Sequence, residues 1–540
     1  MREAEFAYIN GNIYTADQKF SRVSAFAVSG DRFIAAGTSE EIQKLCTENT
    51  KIVDLEGRTV LPGLIDSHLH VHNTGAMRME LNIVGKQRAE ILDLVAEAAK
   101  RTQQGEWIVG RGWINDTWED TSFPSKEELD AVAPDNPVYL KRACGHAGWV
   151  NSRAFKEAGI TGSTPDPVGG EYLRKPDGTL LGVVTDQAQE PFNRAIPPYN
   201  REQLGRIALL AQESFFSCGL TTVHDAGTAE EWIQVWEELY KKKELKVRIY
   251  ASMRVVGRPS YEELYTGSME FFRKGLRIGM YDNRLTARAY KISCDGSLGA
   301  RSAWMLEDYS DRSGHKGNGK WTDEQLYQIL YEARRAGFQT MCHAIGDGAN
   351  RQCLDIYERL LGEIPDPDAR LRIEHAQILD QEDIPRFKRL GVIPTHQTVF
   401  LRTDKKVADD RLGPERVRGA YAWRTLIDQG NVLPNGTDSP VESCNPFLSM
   451  YCAVTRKDEY GKPEEGWYPQ EALSREEALR SYTNWGAYAG FEEHLKGSIE
   501  TGKLADFVVI DRDFMTCPDH ELKDIQVLKT YVGGECVYQK

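Results

Sequence analysis

The stretch Leu61-Pro62-Gly63-Leu64-Ile65-Asp66-Ser67-His68-Leu69-His70 constrains this chain more than any other. An apolar run closed by His-x-His reads as a buried strand whose last steps carry two imidazoles. Residues two apart on a strand share a face, so His68 and His70 point the same way and can grip one metal ion from adjacent positions. Paired histidines also occur on ordinary surfaces, and a lone pair of this kind is a weak signal. Its meaning depends on what the rest of the chain brings to the same place.

The following segments supply a scaffold. After Leu64 to His70, short apolar strands are expected at Leu220 to Asp225, Val247 to Val255, Thr286 to Ser293, Phe338 to His343, Leu371 to His375, Val392 to Gln397 and Val432 to Thr437. Helical patterns fall between most of them, as at Asp323 to Ala336, Asn350 to Leu361 and Gln381 to Leu390. Eight strands alternating with helices close a (β/α)8 TIM barrel, so the expected fold class is α/β with the barrel at 61–487. The interval from about 84 to 219 is too long for one crossover. It holds Trp107, Trp113, Trp118, a strand at Val138 to Lys141 and a turn-rich section from Thr161 to Gly182, and reads as an insertion covering the barrel mouth.

Both ends of the chain read as β structure. Val23 to Val28, Phe33 to Ala36 and Ile52 to Val60 alternate apolar and polar positions between turns, and Lys503 to Asp511 and Ile525 to Tyr538 have the same character. Residues 1–60 and 488–540 are therefore expected to form one composite β-sandwich.

Composition excludes several classes. Acidic residues exceed basic ones by 81 to 67, a net charge of −14, which argues against a nucleic-acid surface. The ten cysteines contain no CxxC pair, so they are expected to be reduced, with no disulfide frame and no zinc ribbon. Met1-Arg2-Glu3-Ala4-Glu5 lacks the regions of a signal peptide, and no apolar run approaches membrane-spanning length. A cytoplasmic protein with a small-molecule substrate and no membrane partner is expected; a homo-oligomer is left open.

In such barrels the chemistry sits at the carboxyl ends of the strands. His68 and His70 end the first strand, Lys291 lies near the end of the fourth, His343 ends the fifth, His375 the sixth and Asp438 the eighth. Four histidines, one lysine and one aspartate then meet at one rim, as a metal site with its base.

The chain resembles the amidohydrolase superfamily and within it is similar to the amidohydrolase 3 family, which includes N-substituted formamide deformylases. The matching features are Pro62 to His70, Gly219-Leu220-Thr221-Thr222-Val223, Lys291 with Asp295-Gly296-Ser297-Leu298-Gly299, His343-Ala344-Ile345-Gly346-Asp347, Glu374-His375-Ala376, Thr437-Asp438-Ser439 and Gly497 to Asp506. The resemblance implies that His68, His70, His343, His375 and Asp438 hold one or two divalent ions, with zinc expected. It further implies that Lys291 takes up carbon dioxide as a carbamate bridging two metals. The alternative is a buried lysine paired with Asp295, or polarising a substrate oxygen, beside one ion. Asp438 is the expected general base and acid in hydrolysis of a carbon–nitrogen bond in an amide, formamide or cyclic amide. A deaminase of the same fold, or a non-catalytic barrel acting as a binding or regulatory module, are the competing readings.

Other residues have less specific expectations. His146, in a stretch resembling a family signature where Asp commonly stands at the position of Cys144, either lines the substrate pocket or holds the inserted loop. Trp149, with tryptophans 107, 113, 118 and 304, either walls an apolar pocket or packs a core. His224 and Asp225 either approach the mouth or form a structural pair, and His396 is placed to contact substrate. Arg301 either holds an anionic substrate group or makes an ordinary salt bridge. Cys342 should face away from its neighbour His343, and Cys294 is open to a place behind the metal ligands.

Overall fold

Parallel strands buried on both faces build the centre of the molecule. In the computed structural model, which describes residues 3–143, 146–167, 169–257 and 259–540, the first barrel strand β1 runs Leu64–Leu69 with every residue buried. A parallel sheet continues through β2 (Leu220–Thr228), β3 (Arg248–Met253), β4 (Leu285–Ser293), β5 (Gln339–Ala344), β6 (Arg372–His375) and β7 (Ile393–Thr395), each paired with its predecessor. All residues of β2 and β3 are buried too, which matches a sheet covered on both faces. Helices such as Asp323–Arg335, Asp347–Glu363 and Ile384–Leu390 separate the later strands.

The eighth strand, expected at Val432 to Thr437, does not form as a regular strand. It pairs only as an isolated bridge between His396 and Asn435. Closure comes from single hydrogen bonds: His396 N donates to Pro434 O (3.0 Å) and Gly436 N to His396 O (2.9 Å) on one side. On the other, Ser67 N donates to Asn435 O (2.9 Å) and Asp438 N to His68 O (2.7 Å). A Cβ at Gly436 would stand 2.5 Å from His68 N and 2.7 Å from His68 O, so only glycine permits this approach. The Asp66 carboxylate pins the same segment by accepting from Thr437 Oγ1 at 2.6 Å and from His68 N at 3.0 Å. Asp438 thus reaches its place through a tight crossing rather than a ladder.

The chain ends share one core. Arg32–Gly37, Ala25–Ser29, Phe6–Ile9 and Lys51–Asp54 form one sheet. Glu535–Gln539, Val527–Val532 and Phe507–Ile510 join Thr59–Pro62, Asn12–Tyr14 and Arg22–Val23 in the other. Tyr8, Phe26, Phe33, Val60, Phe507 and Tyr531 pack together, with the Phe507 and Tyr531 rings stacked 4.2 Å apart. The single strand expected at Ile52 to Val60 is two strands in different sheets. The chain turns between them at Glu56 and Gly57, both with positive φ (52° and 75°).

The chain divides into two compact units, one built from residues up to Thr74 with Ala211–Lys540, the other from Gly75–Leu210. The second has its own six-stranded sheet, in the order Gly170–Arg174, Leu180–Asp186, Ala147–Val150, Val138–Arg142, Ile108–Trp113, Leu81–Asn82. Trp113, Trp118 and Trp149 lie in its core. No helix among the described residues is long and apolar enough to cross a membrane.

Candidate metal centre

His68 is the penultimate residue of β1 and is fully buried. Its Nδ1 is tied by a short hydrogen bond to Glu374 on β6. Arg372, two residues back on the same face of β6, grips Glu374 through Nε (2.7 Å) and Nη2 (3.1 Å) and also reaches Ser67 O (2.7 Å). A carboxylate so held accepts the Nδ1 proton and leaves His68 Nε2 with its lone pair forward. That Nε2 is buried without a hydrogen-bond partner. A histidine fixed from behind by a carboxylate is the arrangement that aims an imidazole at a metal.

His375 is fixed the same way. Its Nδ1 stands 2.6 Å from Gln397 Oε1, so Nε2 is the nitrogen left for a ligand. Its φ of 74°, followed by 41° at Ala376, breaks the strand alternation that would turn it away from Glu374's face. Asp438, with φ 55°, brings Oδ1 to 3.1 Å from His70 Nε2 and 3.7 Å from His68 Nε2, yet that oxygen has no aligned hydrogen-bond partner. His68, His375 and Asp438 each offer a donor atom within 4.8 Å of the others. The His343 ring lies 4.5 Å from that of His375, edge to face, with Nε2 3.1 Å from Gly296 O and 3.3 Å from Asp295 Oδ1.

Electrostatics suit such a donor set. Burial pushes the Asp438 carboxyl up, but His70 close beside it, together with His68 and His375, outweighs burial and holds it well below the usual carboxylate range. Glu374 is likewise held low, by Arg372, His68 and Lys291 against burial. Burial lowers His68 to about 4, and puts His375 well below its ordinary value. Neutral imidazoles beside ionised carboxylates are the ligand forms of a divalent ion, and with two unpartnered donor atoms the residues present fit one.

Lys291, on β4, is 3% exposed. Its amine makes no hydrogen bond or ion pair among the described residues, and it lines a cavity of about 670 Å³. Burial lowers it to about 8, against the pull of Glu374. The expected pairing with Asp295 is not found: that carboxylate accepts from Trp304 N (3.0 Å), Ile345 N (3.1 Å) and Gly346 N (2.8 Å).

The remaining candidates fall elsewhere. Trp149 is a core residue of the Gly75–Leu210 unit, fully buried with Nε1 donating to Ser125 O (2.8 Å). His224 is fully buried and accepts from Arg372 Nη1 at 3.0 Å, so it braces the arginine. His396 is buried behind the closure segment, where burial lowers it to about 3. Arg301 is bound by Asp311 at 2.6 and 3.1 Å, an ordinary salt bridge. His146 is 78% exposed on its side chain and pairs with Asp186 at 2.8 Å. Cys144 lies outside the described residues. Cys294 belongs to a thiol cluster with Cys342 and Cys353. Sequence reasoning assigned no role to Glu374, Arg372, Gln397 or Asp66, which position the ligands. The signal for Glu374 was its place beside His375 in Glu374-His375-Ala376, with Arg372 on the same strand parity.

The sequence profile of the Amidohydrolase family matches residues 51–538. The protein LONG AFTER FAR-RED 3 of Arabidopsis thaliana is 33% identical to this chain, covering 99% of it and 92% of the relative. The N-substituted formamide deformylase of Arthrobacter pascens is 28% identical over 98% of each chain. An uncharacterised metal-dependent hydrolase from Pyrococcus furiosus superposes with a TM-score of 0.78 at 28% identity, over 95% of this chain and all of the other.

Proposed function

This chain belongs to the amidohydrolase family and is a metal-dependent hydrolase, and from that premise we propose that it cleaves a non-peptide carbon–nitrogen bond, in an amide, formamide or cyclic amide, with zinc held by His68, His70, His343, His375 and Asp438. The observation that carries the reading is the pair of buried, unpartnered donor atoms, His68 Nε2 and Asp438 Oδ1, facing each other, with His68 fixed from behind by Glu374 and Asp438 anchored through its N–H to His68 O. The name of the formamide deformylase relative supports the bond type.

When bound, the ion supplies Lewis-acid polarisation of a carbonyl and acidifies water, bringing its pKa from 15.7 towards about 7. Asp438 is ionised, so its carboxylate can accept the water proton and hand it to the departing nitrogen. Glu374 keeps the His68 proton on Nδ1, and Gln397 does the same for His375, so neither imidazole drifts to the tautomer that could not bind. Lys291 is an amine without a carboxylate partner, which supports its conversion by carbon dioxide to a carbamate able to serve a second ion. Nine described cysteines, all free, support a reducing compartment such as the cytoplasm.

The test is metal analysis of the purified protein followed by a screen of N-formyl, N-acyl and cyclic amides, with ammonia release measured in parallel. Amide hydrolysis abolished by a chelator and restored by zinc is expected. A metal-free protein with full activity, or ammonia release from a ring carbon without amide cleavage, overturns the reading. Intact-mass measurement under carbon dioxide checks Lys291 separately.

A further inference from the structure

We propose that Arg254 binds a carboxylate in the cavity that Lys291 lines, so that the substrate is an amide carrying a free carboxylate; this rests on the amide-hydrolase reading above. Arg254 directly follows β3, at the carboxyl end of the barrel, and its N–H is fixed by Thr228 O at the end of β2 (3.0 Å). Its guanidinium, half-buried, makes no hydrogen bond, ion pair or ring contact among the described residues, although it lines the cavity of about 670 Å³.

Several other partly or fully buried arginines are held by a carboxylate. Arg248 is held by Asp506 at 2.7 and 2.9 Å, Arg277 by Glu230 at 2.6 Å, and Arg372 by Glu374 at 2.7 Å. A chain with 81 acidic residues against 67 basic ones has no shortage of partners, so a guanidinium left without one, facing a cavity, has its five donors open to a ligand. Nor do the nearest acids answer it. Asp225 is committed to Val71 N (2.7 Å) and Thr228 Oγ1, and Asp438 faces the histidines. Burial lowers Arg254 from its ordinary value, the direction of a guanidinium without a partnering carboxylate.

The cavity itself has matching chemistry. Its described lining includes Arg254 and Lys320 beside Lys291, contains no Asp or Glu, and is otherwise walled by groups such as Val255, Leu264 and Trp321. A ligand with an apolar body and one anionic head fits that distribution, and its volume lies within the range of small-molecule sites. Gly227 ties the cavity to the metal ligands. A Cβ there would stand 3.1 Å from Arg254 Cδ and 3.9 Å from His70 Cε1, so the arginine stem and the histidine flank the same glycine. A planar guanidinium meets a carboxylate through two parallel hydrogen bonds, which fixes orientation as well as charge.

The matched probes are N-formylphenylalanine and its carboxamide, which share their whole body and differ at the head. Their affinities for the zinc-loaded full chain, read by calorimetry, should differ by at least about 30-fold in favour of the carboxylate. Arg254→Met should bring the ratio to about one, and Arg254→Lys, with a charge but no fork, should leave it between. No measurable carboxylate binding, equal affinity in the unmodified enzyme, or an unchanged ratio in Arg254→Met overturns the inference. Using the ratio removes any general damage to the site, and the measurement on the unmodified enzyme needs no variant to fold. Carboxylate binding through Arg254 without hydrolysis of either probe overturns the hydrolytic reading alone. Hydrolysis of both with equal affinity overturns the carboxylate inference alone.

Discussion

Among the described residues two groups of three metal-capable side chains lie in this barrel, and their donor atoms are satisfied in different ways. His68, His375 and Asp438 form one; Cys294, Cys342 and Cys353 form the other, also buried and with donor atoms likewise within 4.8 Å of one another. His343 and Cys342 are neighbours on β5 and face opposite sides of it, one towards His375 and one towards the helix Asp347–Glu363. In the first group each histidine is tied from behind and donor atoms are left unpartnered in front. In the second the thiols satisfy one another: Cys353 Sγ lies 3.5 Å from Cys294 Sγ, and Tyr357, one turn on from Cys353, donates to Cys342 Sγ at 3.2 Å. Proximity of donors does not make a site. Donors held from one side and unsatisfied on the other do.

The largest effect expected from that difference is on turnover. Asp438→Asn keeps shape and removes the proton acceptor, so kcat/KM should fall by about 10² to 10⁴ while metal analysis shows the ion still bound. Unchanged turnover at equal metal content would mean that the carboxylate facing the histidines has no part in the chemistry.

Next comes the support from behind. Glu374→Gln removes the charge that fixes the His68 proton, and metal affinity should fall by about 10 to 100-fold in a competition titration against a chelator. The same change leaves the Arg372 guanidinium, fully buried, without its ionised partner; breaking such a pair costs about 3–5 kcal/mol, so the melting temperature should drop as well. A variant that melts early yet binds metal as before would show Glu374 to be a structural counter-charge only.

Acid separates the two groups by a smaller margin. Burial holds His68 at about 4 and His375 well below its ordinary 6.5, so below that ordinary value the folded chain binds fewer protons than the unfolded one. Their neutral burial therefore leaves stability fully present above pH 6.5 and lost as pH falls towards 4. Cys353 is pushed well above its ordinary value by its contacts with Cys294 and Cys342 and by burial, so it contributes nothing to that limb. Guanidinium unfolding of metal-stripped protein at pH 7.5, 5.5 and 4.5 should show falling midpoints, with a shallower fall in His68→Asn and an unchanged one in Cys353→Ala. Parallel slopes in all three would remove the titrating histidines from the account.

Regular strands explain what could be read from the sequence. On β5, and from β1 to the residue just past its end, position translates into face, so the common direction of His68 and His70 and the opposed directions of Cys342 and His343 follow from spacing alone. β6 defeats the same rule. Parity groups Arg372 with Glu374 and sends His375 away, and only the positive φ at His375 and Ala376 brings it back. Asp438 depends on a glycine crossing rather than a ladder, which an apolar run at Val432 to Thr437 could not reveal. The role of Glu374 was hidden for a different reason: its partner lies 306 positions earlier, and nothing local says which carboxylate will stand behind which imidazole. Arg254 shows the limit most plainly, since the absence of a partner is a property of the folded surroundings and of no motif.

The smallest effect tests the other half of the comparison. Cys353 sits on the face of the helix Asp347–Glu363 that packs against β5, and losing its sulfur removes one buried group of about a methylene's size together with a weak thiol contact. Cys353→Ala should therefore cost about 1 kcal/mol, a modest fall in melting temperature, with bound metal per chain unchanged. The three thiols, fully buried, should react with a thiol reagent only after unfolding. If the variant instead loses an equivalent of metal, the thiols are ligands despite satisfying one another, and unpartnered donor atoms are not what distinguishes a metal centre in this barrel.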